Sequence, residues 1–122
     1  MAAASSPLGQ ILVDGSGRTL YLFLADTGTS TCTGPCATAW PPLLIKGAPV
    51  AGSGATASDL GTTKRGDGTT QVTYAGHPLS YYIAETKTGQ MTGQALNQFG
   101  ALWYVLSPTG SKITTAPGSA SP

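Results

Sequence analysis

Short apolar runs, each broken by Gly, Pro, Thr or Asp, set the pattern of this chain. Gln10-Ile11-Leu12-Val13-Asp14 predicts a first strand and Gly15-Ser16-Gly17 a tight turn. Residues 19–25 predict the next strand. Its alternate positions (Thr19, Tyr21, Phe23, Ala25 and Leu20, Leu22, Leu24) are apolar on both faces, so both sides are expected to be covered. Residues 26–36 read as a loop. Residues 35–40 suit one helical turn that Pro41-Pro42 must stop. Residues 43–45 read as a brief strand, 47–58 as an exposed connection and 58–60 as a short turn. Residues 62–65 and 70–75 flank Gly66-Asp67-Gly68-Thr69, a strong hairpin signal. Gly76-His77-Pro78 is expected to turn the chain into a strand over 79–84. Residues 89–100 read as an irregular polar loop, 102–106 as the last main strand and 112–115 as a small edge strand. Residues 1–7 read as a disordered lead and 116–122 as a Pro/Ser/Ala tail or linker.

The pattern repeats. Thr19-Leu20-Tyr21-Leu22-Phe23-Leu24-Ala25-Asp26-Thr27 recurs, 59 residues on, as Pro78-Leu79-Ser80-Tyr81-Tyr82-Ile83-Ala84-Glu85-Thr86. Each copy is an apolar and aromatic strand that ends in Ala plus a carboxylate and runs into a Thr/Gly loop. Trp40-Pro41-Pro42-Leu43 would then match Trp103-Tyr104-Val105-Leu106. The expected fold is all-β: a small antiparallel barrel or sandwich of about seven or eight short strands. It is built from two pseudo-repeats, about 8–58 and 59–115, related by an approximate twofold within one domain over 8–115.

Composition narrows the partners. Only 9% of the 122 residues are charged, six Lys/Arg against five Asp/Glu, where about 25% is usual. The net charge of +1, with basic residues scattered, argues against nucleic acid. No apolar run approaches the ~18 residues of a membrane span. Met1 to Ser6 lacks the basic start and long apolar stretch of a signal peptide and reads as a start Met set before a mature end, which leaves export open. Two close cysteines in a low-charge, Thr-rich β domain point to an oxidising compartment.

Several segments together resemble one bacterial family. They are Leu8-Gly9-Gln10-Ile11-Leu12-Val13-Asp14, Gly17-Arg18-Thr19-Leu20-Tyr21-Leu22-Phe23, Cys32-Thr33-Gly34-Pro35-Cys36, Trp40-Pro41-Pro42-Leu43, the run from Arg65 to Tyr74, and Trp103-Tyr104-Val105. In order and spacing, over roughly residues 8–110, they are similar to the secreted-repeat, or predicted-lipoprotein, family with a Tyr-x4-Asp motif. The resemblance implies export, commonly as a lipoprotein or envelope module found alone, in tandem or beside electron-transfer domains. It carries no established activity. Tyr21 and Asp26 match the motif, whereas the second copy has Ser80 and Glu85. That departure weakens the idea of two equivalent functional sites. No lipid-bearing Cys precedes the domain in this sequence, so the anchor is not carried over.

Each candidate for chemistry has a structural reading beside it. Cys32 and Cys36 are a redox pair or a structural disulfide. Three intervening residues in a loop, rather than two at a helix start, favour the disulfide. Its tiny closed loop would contribute on the order of 2 kcal/mol and fix the approach to Trp40. Asp26 and Glu85, at matched strand ends, would act as an acid pair, ligate a hard cation or brace their own loops. The duplication favours the brace. His77, the only histidine, would need Met91 or a carboxylate to hold a metal or haem, and neither Cys is followed by His as covalent haem attachment requires. The aromatics Tyr21, Phe23, Trp40, Tyr82 and Trp103 divide between core and binding platform. Tyr81 and Tyr82 must face opposite ways on a strand, so one is expected to be exposed.

No nucleophile elbow, phosphate loop, zinc spacing or Ser-His-Asp order is visible. The expectation is a secreted or envelope-exposed, non-enzymatic interaction or structural module with an extracellular protein partner and no cofactor. An accessory to extracytoplasmic electron transfer or metal handling comes second. Carbohydrate or cell-wall binding through exposed aromatics comes third.

Overall fold

The computed structural model describes residues 1–26 and 28–115. It has eight short strands: β1 Ala2–Ser6, β2 Gly9–Val13, β3 Tyr21–Phe23, β4 Leu60–Lys64, β5 Thr70–Tyr74, β6 His77–Pro78, β7 Leu96–Gln98 and β8 Ala101–Val105. One helical turn, α1, covers Pro35–Ala39. The strands form three antiparallel sheets, ordered β1-β2, β3-β8-β7 and β4-β5-β6, and do not close into one barrel. The tail expected over 116–122 lies outside the described residues.

The two repeats are interlocked. Tyr21 and Ser80, equivalent positions in the two copies, pair with each other: Tyr21 N–H donates to Ser80 O (2.8 Å) and Ser80 N–H to Tyr21 O (3.0 Å). Around this pair, contacts come in matched couples. Leu12 N–H donates to Leu106 O, and Val72 N–H to Leu43 O, both at 2.9 Å. Leu24 N–H donates to Leu102 O, and Ile83 N–H to Ala39 O, both at 3.0 Å. Each Trp-led segment therefore crosses to the opposite repeat. Trp103, Tyr104 and Val105 pair with Phe23, Leu22 and Tyr21, while Pro42 bridges to Ser80.

The alternation along β2, β3 and β8 builds two cores. Ile11, Val13, Tyr21, Phe23, Trp103 and Val105 point into one, together with Trp40 and both cysteines. Leu12, Leu20, Leu22, Tyr104 and Leu106 point into the other, with Val72, Tyr74 and Leu79. The strand expected over 19–25 is covered on both faces only from Thr19 to Phe23; Leu24 and Ala25 are exposed.

Other expectations change. The lead expected to be disordered is strand β1, in register with β2 from Ala2↔Val13 to Ser6↔Gly9. Ala and Ser have little intrinsic strand preference. They are held by pairing, by Ala3 N–H to Ser53 O (2.8 Å) and by Gly52 N–H to Met1 O (2.5 Å). The first repeat thus starts before residue 8. The connection over 47–58 is largely exposed, as expected, and is tied to β1 at Gly52 and Ser53.

The expected strand over 79–84 stops after Ser80. Tyr81 N–H turns to Pro41 O (2.7 Å), and Glu85 N–H closes a turn on Tyr82 O (3.1 Å). The first copy does the same with Asp26 N–H on Phe23 O (3.0 Å). His77 and Pro78 are strand, not turn; the turn is Ala75-Gly76, both at positive φ. The polar loop over 89–100 contains β7, and residues 43–45 make only backbone bonds to β5 and Leu79.

Gly93 packs tightly against the aromatic core. A Cβ there would lie 2.7 Å from Trp40 Cη2 and 3.1 Å from Tyr21 Cζ, whereas one at Gly15 would meet nothing within 4 Å. Gly93→Ala is expected to destabilise the fold by about 1–3 kcal/mol through overpacking. Gly15→Ala is expected to stay within about 0.5 kcal/mol. Urea denaturation of the two variants checks this.

Candidate functional site

The aromatic residues singled out by the sequence converge on one assembly between the repeats. Four rings stack in the order Phe23, Trp103, Trp40, Tyr82, with centroid separations of 4.2, 4.0 and 4.3 Å. The two indoles lie within 4° of parallel. Phe23 and Tyr82 are equivalent positions in the two copies, as are the two tryptophans, so the stack is itself symmetric. Gln98 fixes both indoles: Trp40 Nε1–H donates to its Oε1 (2.9 Å) and Trp103 Nε1–H to its carbonyl (3.1 Å). Both tryptophans are fully buried. The rings join the two halves, and the stack ends at half-buried Tyr82.

Tyr81 and Tyr82 do face opposite ways, Tyr82 into the core around Trp40 and Tyr81 into the other. Both are half-buried, so neither is the exposed partner that alternation alone implies. Tyr81 donates to Asp14 Oδ2 (2.7 Å), and the Arg18 guanidinium lies 4.3 Å over its ring.

The matched carboxylates have diverged. Glu85 is buried and accepts a short hydrogen bond from the Tyr21 hydroxyl, and Gly93 N–H donates to the same carboxylate at 3.3 Å. The acid of the second repeat therefore clasps the tyrosine of the first. The reciprocal clasp is missing, because the position matching Tyr21 is Ser80. Asp26 instead accepts from Thr31 N–H and Oγ1–H, both at 2.8 Å, and braces its own loop as the duplication argument anticipated. Burial pushes both carboxyls above the ordinary range, against the hydrogen bonds they accept. Burial, reinforced by Glu85, also holds the Tyr21 hydroxyl firmly protonated.

The space around Ser80 belongs to residues that the sequence reading passed over. Arg65, 8% exposed, donates from Nη1 to Gln71 Oε1 (2.8 Å) and Ser30 Oγ (3.0 Å), and from Nη2 to Cys32 O (2.6 Å). Gln71, fully buried, donates in turn to Leu79 O (2.7 Å) and Ser80 Oγ (3.4 Å). One signal was available: Gln71 alternates with Val72 on a strand whose polar face lacks the charges of a solvent surface.

Cys32 and Cys36 form a disulfide, Cα atoms 5.2 Å apart, with both residues buried. It closes the loop that delivers Trp40. Met91 packs on the core around Trp40 and Tyr21. His77 sits on β6, its pKa lowered by burial and by Lys112 and partly restored by Asp26. Among the described residues, no group of three or more His, Cys, Asp or Glu is placed to hold a metal ion.

Tyr21→Phe is expected to cost about 1–3 kcal/mol, because the buried carboxylate loses a donor. The pH dependence assigns Glu85. Its folded pKa lies above the unfolded value near 4.5, so the native state retains a proton that the unfolded chain releases. Stability from this group is then full below about pH 4.5 and falls as pH rises, until folded Glu85 ionises. Asp26 adds a fall of the same sign, and His77 a rise that ends near its unfolded pKa. Glu85→Gln should remove only the Glu85 share. Urea titrations from about pH 4 to about pH 8 should show wild-type stability declining relative to the variant; parallel curves would contradict the assignment.

No curated protein and no solved structure matches the chain. A family model matches it twice, at residues 2–44 and 61–107. The first match begins at β1 and the second within β4, and each runs past its own Trp-led segment. The interlocked halves are thus two copies of one unit, and the chain belongs to the Lipoprotein_15 family, a secreted repeat of unknown function.

Proposed function

We propose that this secreted repeat pair is a non-enzymatic interaction module of the cell envelope or its exterior, a rigid scaffold that offers loops to a protein partner. One observation carries the reading. The aromatic and acidic residues able to bind are spent on holding the halves together, while large apolar side chains next to them in sequence are left outside. Leu24 follows Phe23, Ile83 follows Tyr82 and Phe99 follows Gln98, and they are 42%, 57% and 48% exposed. Leu24 and Ile83 are equivalent in the two copies, so the exposure recurs with the repeat. No helix of the described residues is long and apolar enough to cross a membrane.

A second reading, an accessory role in extracytoplasmic electron transfer, is favoured by the stacked rings. Four π-systems about 4 Å apart, ending at half-buried Tyr82, form a short path for a single electron hole.

Two measurements test these readings. A photo-crosslinking benzoylphenylalanine at Leu24 or Ile83, on the secreting cell, is expected to capture a discrete protein. The same group at exposed Lys64 on β4 should not. Equal labelling at all three positions would count against a docking surface. For the second reading, a photogenerated ruthenium(III) polypyridyl oxidant removes one electron from the stack, and the Tyr82 hydroxyl releases its proton to solvent. Electron paramagnetic resonance should then show a tyrosyl radical that Tyr82→Phe replaces with a tryptophanyl one. A signal unchanged by that substitution would argue against the path.

A further inference from the structure

Where the second repeat has Ser80 in place of a tyrosine, the chain carries a buried cation instead. The three hydrogen-bond acceptors of Arg65 are all neutral oxygens: Ser30 Oγ, Gln71 Oε1 and Cys32 O. A guanidinium has five N–H donors, so Nε–H and one Nη2–H have no acceptor among the described residues. Arg65 is more than nine-tenths buried, yet it lines a cavity of about 380 Å³ together with Thr33, Gly34, Ala37, Gly66 and Asp67. The walls are built to stay open. A Cβ added at Gly34 or Gly66 would meet nothing within 4 Å, and Gly34 has φ +58°, which disfavours any side chain there.

Asp67, exposed and two residues on in the same hairpin, lines the same cavity. Asp67 uses Oδ1 to accept from Thr69 N–H (2.9 Å) and Thr69 Oγ1–H (2.5 Å). Those bonds hold the carboxyl below the ordinary range, so it is ionised at neutral pH, and Oδ2 is free of them. One small cavity is therefore lined by a guanidinium with unfilled donors and by a carboxylate with one oxygen free of hydrogen bonds. A plain anion would satisfy the first and be repelled by the second. A plain cation would meet the reverse. A ligand with a carboxylate and an ammonium a few bonds apart satisfies both. The volume lies at the small end of the range for ligand pockets.

We propose that the cavity between the disulfide loop and the β4–β5 hairpin is a binding site for a small α-amino-acid zwitterion, its carboxylate on Arg65 and its ammonium on Asp67. The Nη2 bond to the carbonyl of Cys32 ties the guanidinium to the disulfide loop. The site does not depend on the docking surface around Leu24 and Ile83.

Titration of the folded, oxidised protein with alanine tests this, followed by the Gly34 and Gly66 amide resonances. Saturable shifts are expected with alanine. N-acetylalanine, which lacks the ammonium, and alaninamide, which lacks the carboxylate, should each bind roughly tenfold more weakly. Asp67→Asn keeps an Oδ1 for Thr69 and removes only the charge, so alanine should fall to the level of N-acetylalanine. Arg65→Gln, where it folds, should lose both; where it does not fold, Asp67→Asn alone decides. No saturable shift, equal binding of alanine and N-acetylalanine by the wild type, or unaltered preference in Asp67→Asn would each overturn the proposal.

Discussion

Everything in this molecule depends on two backbone hydrogen bonds between residues that duplication made equivalent. Tyr21 and Ser80 face each other across the join, each donating its N–H to the other's carbonyl. Once that pair is set, the two apolar strands lie antiparallel, and each Trp-led segment can find a partner only in the opposite repeat. The aromatic stack, the two-sided core and the crossing of residues 40–45 and 103–106 all follow from it. Neither repeat owns a complete core. Tyr21 and Phe23 are covered by Trp103 and Val105 of the other copy, and Trp40 reaches Tyr82.

Symmetry at the backbone has not been kept in the side chains. On one side a phenol enters the neighbouring acidic loop and bonds Glu85. On the other, a serine is too short to reach Asp26, and Arg65 enters from the end of β4 with Gln71 beside it. The two solutions differ physically. Tyrosine brings a large apolar surface and one donor, so it closes its pocket. Arginine brings five donors in a plane and fixes only three of them here, so its pocket remains chemically unfinished. Divergence of this kind turns a structural duplicate into a candidate binding site without disturbing the half that holds the fold.

Much of the architecture was legible because it rests on alternation. Residues 19–25 are apolar on both faces, and the structure covers both from Thr19 to Phe23 before Leu24 and Ala25 turn outward; Gly66-Asp67-Gly68-Thr69 turns between paired strands as its composition indicates. Where the sequence misled, the cause was a partner distant in the chain. Ala2–Ser6 has no strand preference of its own and is strand only because β2 and Ser53 bond to it. Residues 81–84 look like the end of a strand but bend away, because Pro41 and Ala39 offer carbonyls there. Arg65 read as a hairpin residue; its burial depends on Gln71 and on the disulfide loop, which no local pattern encodes. The carboxylates were placed at matched strand ends, but not the crossing that sends Glu85 to the tyrosine of the other copy.

The crossing of the Trp-led segments also fixes an order of events in time. β3 is complete within the first 23 residues but has no sheet partner until β8, near residue 101, has emerged, and Leu43 waits for Val72 and Leu79. Pairings this far apart in sequence cannot form piecemeal from the N-terminus, because loop closure costs entropy before the contacts return it. Local hairpins such as β1–β2 need no distant partner, but the core stays open until almost all of the chain is free. For a polypeptide that must thread an export channel before it folds, delayed closure keeps it threadable, and the last strand to cross is the one that completes the first.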